Sequence, residues 1–156
     1  MADQGTASAG LSIHLGCALQ TTETEQSEKL LSLSLGRPAP GLRVLRAVGE
    51  VDVLTTPRLA AALQLLLSTH PRTVVVDFTG LTFLSAAGLG ALAETAVAGH
   101  DHGIVLRLVA HSPAVLRPMQ LTRLDEYIPL DATLADATDD PTNIPSPRPA
   151  PPRARE

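Results

Sequence analysis

Aromatic side chains are nearly absent from this chain: its 156 residues include two Phe, one Tyr and no Trp. So few rings leave little on which bases could stack. Twelve basic residues stand against 16 acidic ones, for a formal charge of −4. That balance gives no attraction to polyanions or anionic lipid, and direct nucleic-acid binding is not expected. The single cysteine, Cys17, has no second thiol in the chain to pair with. No oxidising compartment is therefore required, and a cytoplasmic location is the simplest expectation. No run reaches the roughly 18 apolar residues of a membrane span. Nor does a basic segment lead into an apolar signal core at the N-terminus, so no membrane association is expected.

Proline is abundant, with 13 residues, and its distribution divides the chain. Residues 1–28 are small, polar and acidic apart from an apolar patch over 11–19, the composition of a mobile tail. Residues 139–156 include Pro141, Pro145, Pro147, Pro149, Pro151 and Pro152. These remove backbone donors and predict an extended, disordered tail. The intervening 29–138 is expected to be a single domain, long enough for its own core.

Within that domain, Leu and Ser alternate over 30–35 as in a strand with one buried face. The prolines of 36–41 predict a loop, and 42–48 a second strand, together a hairpin. Thr56 before Pro57 predicts a helix start, with the hydroxyl as cap and Pro in the first turn. Leu59, Leu63, Leu66 and Leu67 line one face of that helix, and His70–Pro71 ends it. Residues 73–78 are apolar enough for a central strand covered on both faces. A helix from Ala86 to about Gly99, with Leu89, Leu92, Ala96 and Val97 on one side, leads to a fourth strand over 104–109. Two strand–helix–strand units with right-handed crossovers make strands two, three and four parallel. Ser112–Pro113 opens a third helix, which Pro118 is expected to kink or shorten. A brief edge strand over 127–130 and a small helix over 133–137 follow.

The junction from Val74 to Gly90 joins the central strand to the second helix, and it carries the most specific pattern in the chain. Phe78-Thr79-Gly80-Leu81-Thr82-Phe83-Leu84-Ser85-Ala86-Ala87-Gly88-Leu89 resembles the signature of STAS domains, the fold of bacterial anti-sigma factor antagonists. Gly49-Glu50-Val51-Asp52 upstream and Ser112-Pro113-Ala114-Val115 downstream extend the resemblance over roughly 30–137. It implies an α/β fold: a mixed sheet of four to five strands with helices packed mainly on one face. It further implies an antagonist that binds a kinase-like anti-sigma factor and thereby releases a sigma factor, without catalysis or cofactor. The alternative is a sensory or scaffold STAS module that binds another STAS protein, a copy of itself, or a small ligand.

Aligned on this motif, the family's phosphorylated Ser or Thr falls on Ala87. Its Asp falls on Ser85 and its first Ser on Ala86. A methyl group cannot accept phosphate, so the resemblance implies an antagonist without the usual phospho-switch. Partner contacts are expected from Asp52, Ser85, Ala86, Ala87, Gly88 and Leu89. Ser85 is the remaining hydroxyl at the helix start, where the helix dipole would tolerate phosphate; an unmodified N-cap is the plainer reading. Asp52 reads equally as a turn residue capping local N–H groups. Asp77 is expected at the end of the central strand, organising the loop before Ser85.

Other candidates are weaker. His100-Asp101-His102 has ligand-type side chains, but no Cys or third His completes a closed site; an exposed turn and no metal are expected. His111 and Ser112 are adjacent in sequence, which cannot give triad geometry, and no Gly-x-Ser-x-Gly elbow is present. Gly88-x-Gly90 lacks the rest of any nucleotide-binding fingerprint. No enzyme activity is expected.

Overall fold

In the computed structural model, residues 29–139 are described. The tail expected over 1–28 lies outside them, and so does the one expected over 139–156 except for Asp139, which is the last residue of a helix. Strands β1 (Leu31–Ala39) and β2 (Leu42–Val51) form the expected antiparallel hairpin, with Leu31 opposite Gly49 and Ala39 opposite Leu42. The loop expected over 36–41 is shorter than that, because β1 continues through Pro38. β1 lies at the edge of the sheet, and its register shifts between Gly36 and Ala39. Proline's missing N–H is tolerated at such an edge or bulge.

Helix α1 (Thr56–Ser68) buries Leu59, Leu63 and Leu66. Strand β3 (Thr73–Leu84) pairs parallel with β2 and with β4 (Val105–Val109), as the two crossovers require. Helix α2 (Ala86–Asp101) links β3 to β4 and runs two residues past Gly99, so His100 and Asp101 sit in its last turn. Helix α3 (Pro113–Leu121) keeps Pro118 inside it. A 3-10 turn (Leu124–Glu126) follows, and then the two-residue strand β5 (Leu130–Asp131), parallel to β4 and displaced toward the C-terminus from the expected 127–130. Helix α4 (Leu134–Asp139) closes the described chain. The sheet order is β1-β2-β3-β4-β5.

The main core lies under α1, α2 and α3, where Leu45, Val74, Val76, Phe78, Leu59, Leu63, Leu92 and Met119 pack with no exposed surface. A smaller cluster of Leu42, Val44, Val75 and Val109 meets Ala137 of α4 on the opposite side of the sheet. Helices thus cover chiefly one face. On the α4 side, Arg107 donates to both carboxylate oxygens of Asp131 at 2.9 and 2.7 Å, tying β5 to β4. Two-point pairing of this kind fixes geometry as well as contributing energy.

Strand β3 is longer than the sequence suggests. Its pairing with β2 slips twice, between Arg46 and Val48 and between Gly49 and Glu50, so beyond the expected end at residue 78 it carries one bulge before Gly80 and a second between Leu81 and Phe83. Asp77 consequently sits within the strand rather than at its end. It is buried, accepts from the Thr79 N–H and hydroxyl at 2.9 and 2.7 Å, and lies 3.8 Å from Arg46. Its hydrogen bonds shape the first bulge, not the loop before Ser85.

Candidate functional site

The carboxyl ends of β2 and β3 and the first turn of α2 meet at one end of the sheet. The Ser85 N–H donates to the Val51 carbonyl at 2.8 Å, and Glu50 is registered opposite Phe83. At Gly88 a Cβ would lie 2.6 Å from Val51 Cγ1 and 2.8 Å from Leu84 Cδ1. Only a residue without a side chain lets α2 sit this close to β2, so Gly88 sets the position of the helix start.

The turn after β2 is held by its own side chains. Asp52 Oδ1 accepts from the Thr55 N–H at 2.8 Å, and the Asp52 N–H donates to Thr55 Oγ1 at 2.9 Å. That hydroxyl lies 2.9 Å from the Glu50 carbonyl and is fully buried. Asp52 thus orders the turn that leads into α1, whose N-cap Thr55 makes no side-chain cap bond; Thr56, expected as the cap, lies inside the helix and donates its hydroxyl to the Asp52 carbonyl at 2.6 Å. Thr55→Val keeps the shape but removes the hydroxyl that answers the Asp52 N–H. It is expected to cost about 1–3 kcal/mol in urea unfolding, the usual penalty for orphaning a buried polar group. An unchanged midpoint would mean that water replaces the bond.

Ser85 is the N-cap of α2, extended at φ −80 and ψ 166, and its Oγ accepts from the Gly88 N–H at 3.2 Å. It is half-buried, whereas Ala86 and Ala87 are exposed on the first turn. Leu89 is buried in the core with Gly88. The six expected site residues are thus brought together in two layers. Ala86 and Ala87 form surface, Asp52 and Ser85 brace it, and Gly88 and Leu89 support it from beneath.

Sequence reasoning missed the apolar part of this surface. Val53 is 78% exposed, Phe83 49% exposed, and Leu54 is also exposed. Val53 and Leu54 occupy a turn that ordinarily takes polar residues, and that mismatch was the available signal. Phe83 could not be placed, because the bulges reset the alternation of β3 just before it. Elsewhere, Ser112 caps α3 by accepting from the Ala114 N–H at 3.2 Å, and His111 is exposed beside it. His102 Nδ1 lies 2.8 Å from the Ala98 carbonyl, and its ring is 6.2 Å from that of His70. Among the described residues no three His, Cys, Asp or Glu converge as a metal site, and no helix is long and apolar enough to cross a membrane.

Comparison with known proteins addresses the same region. The family model of the STAS domain matches residues 37–137. The anti-sigma-F factor antagonist RsfB of Mycobacterium tuberculosis is 32% identical over 97 residues, which span 62% of this chain and 79% of RsfB. The crystal structure of an anti-sigma factor antagonist from Mycobacterium paratuberculosis superposes with a TM-score of 0.61 at 32% identity, covering 69% of this chain and 90% of that one. The anti-sigma factor antagonist SpoIIAA in its unphosphorylated form has a TM-score of 0.61 at 21% identity over 69% of this chain and 94% of its own, a likeness of fold.

Proposed function

Since the chain belongs to the STAS domain family, with 37–137 matched, we propose that it is an anti-sigma factor antagonist whose apolar surface at the ends of β2 and β3 binds an anti-sigma factor. Occupying that factor lowers the pool able to hold sigma, and transcription follows from mass action rather than catalysis. The reading rests most on Val53, Leu54 and Phe83, exposed beside Ala86 and Ala87 at the start of α2. Clustered exposed apolar side chains mark interaction surfaces, and small residues beside them allow close approach. The partner is a cytoplasmic protein of kinase-like fold, as the resemblance implies. Affinity capture with the full chain as bait, followed by identification of the bound proteins, tests this. Recovery of only STAS proteins, or of a copurifying small ligand, would favour the sensory module instead.

Binding in this chain is not switched by phosphate at residue 87. Ala87 is exposed, so access is not the obstacle; the acceptor oxygen is. Incubated with its kinase-like partner and ATP, the chain is expected to stay unmodified, while Ala87→Ser gains phosphate by intact-mass measurement. Stoichiometric phosphate on Ser85 in the unaltered chain would overturn this. Modification there would also disturb the bond from the Gly88 N–H, since the cap oxygen would become the phosphoester oxygen.

A further inference from the structure

The apolar surface just described lies where the N-terminal segment joins the domain. Leu31, the first residue of β1, is opposite Gly49, and Gly49 is followed by Glu50, which is opposite Phe83. One strand spacing, one residue step and a second spacing separate Leu31 from Phe83, roughly 14 Å in all. The entry point is fixed on two sides. Arg58 Nη1 donates to the Leu31 carbonyl at 2.6 Å. Gly49, at φ +120, leaves room for the Leu30 carbonyl, which any Cβ there would strike.

Upstream of this anchor the sequence is uneven. Residues 20–30 hold Glu23, Glu25, Glu28 and Lys29, whereas 11–19 hold Leu11, Ile13, Leu15, Ala18 and Leu19 with no formally charged side chain. Alternation of Leu11, Ile13 and Leu15 with Ser12 and His14 presents one apolar edge when extended. Lys29 and Leu30 are helical and belong to the anchor, so the tether is nine residues, 20–28; a flexible chain of that length spans roughly 15–18 Å, and about 30 Å at full stretch. Either distance exceeds the crossing to Phe83. Tethering at this range gives an effective concentration on the order of millimolar, enough for a weak apolar contact to compete with a partner.

We propose that residues 11–19 dock on the surface formed by Val53, Leu54, Phe83, Ala86 and Ala87, shielding it within the same molecule. This extends the reading above, because the shielded surface is the one assigned to the anti-sigma factor. Control by phosphate at residue 87 is then replaced by competition between the chain's own segment and its partner. The segment needs no new pocket, only a surface that is apolar and near its tether.

The test needs no anti-sigma factor, so its failure is distinguishable from failure of the functional reading. Cys17 is the only cysteine and lies inside the segment, so its reaction with a small soluble disulfide reagent reports how often the segment is open. In the full chain the thiol is expected to react on the order of fivefold more slowly than in the doubly substituted Ile13→Asp, Leu15→Asp chain, in proportion to the open fraction. Phe83→Asp is expected to accelerate the reaction similarly; equal rates in all three overturn the proposal. A spin label on Cys17 is expected to broaden the amide signals of Val53, Leu54, Phe83, Ala86 and Ala87 in its own molecule. Absence of that broadening overturns the proposal as well. Broadening carried to isotope-labelled copies mixed with spin-labelled, unlabelled ones would assign the surface to a second copy and overturn the intramolecular form.

Discussion

Phe83→Asp is expected to weaken capture of the anti-sigma factor by about 100-fold or more while leaving the fold intact. A central aromatic anchor contributes on the order of 2–4 kcal/mol to an interface, and each 1.4 kcal/mol is a factor of ten. The replacement also places a carboxylate where the bound partner would exclude water, adding a desolvation cost. Folding is little affected because the ring is already half exposed. Asp in a strand costs up to about 1 kcal/mol, which sets the acceptable change in unfolding midpoint. Titration calorimetry against the captured partner measures the first effect and urea unfolding the second. Undiminished affinity in a folded variant would move the interface away from this end of the sheet.

The two glycines of α2's first turns are expected to respond with opposite signs. At Gly88 a Cβ meets Val51 and Leu84 at 2.6 and 2.8 Å, and both of these side chains are buried with nowhere to retreat. Gly88→Val is expected to destabilise by about 3 kcal/mol, the upper end for overpacking, and to lower the melting temperature by more than about 10 °C. At Gly90 nothing lies within 4 Å of an added Cβ. Gly90→Ala is expected to stabilise by up to about 1 kcal/mol through helix propensity alone. Thermal melts of the two variants decide the matter, and a neutral Gly88→Val would mean that α2 can slide away from β2. Because Gly88 supports the surface from beneath, a large residue there disturbs packing as well as contact, and Ala87 is the cleaner probe of binding.

How far the sequence could be read depended on whether a residue's role was local or came from the whole sheet. Alternation in β1, apolar faces in α1 and α2, and the Ser–Pro pair opening α3 are local signals, and each of these elements forms, with β1 and α2 running past their expected ends. The parallel order of β2, β3 and β4 followed from the handedness of crossovers, which is equally general. Failures fall where sheet context overrides local chemistry. Pro38 reads as a loop residue, yet lies in a strand because that strand is at an edge. The central strand reads as ending at residue 78, yet runs on through a bulge at Thr79 because β2 continues alongside. Thr56 has the residue type of a cap, but it is the first residue of α1 and its hydroxyl turns back to donate to the Asp52 carbonyl. Recognition of the motif located Ser85 to Leu89 without saying which of them face outward. That distinction needed the packing of Gly88 against Val51, and the exposure of Phe83 needed the second bulge.

The outermost strands also bear on what this chain can do with others of its kind. A free sheet edge is a template on which further strands can be laid, and proteins in solution must blunt it. Along β1 the line of donors is interrupted at Pro38, and the shift between Gly36 and Ala39 breaks the spacing an added strand would have to match. At the opposite edge, β5 offers only Leu130 and Asp131, with the Asp131 carboxylate already held by Arg107. Neither side invites growth by strand addition, so the sheet is finite by construction. Under the function proposed above, association would then fall to the exposed side chains at the ends of β2 and β3, so that side chains rather than backbone select the partner.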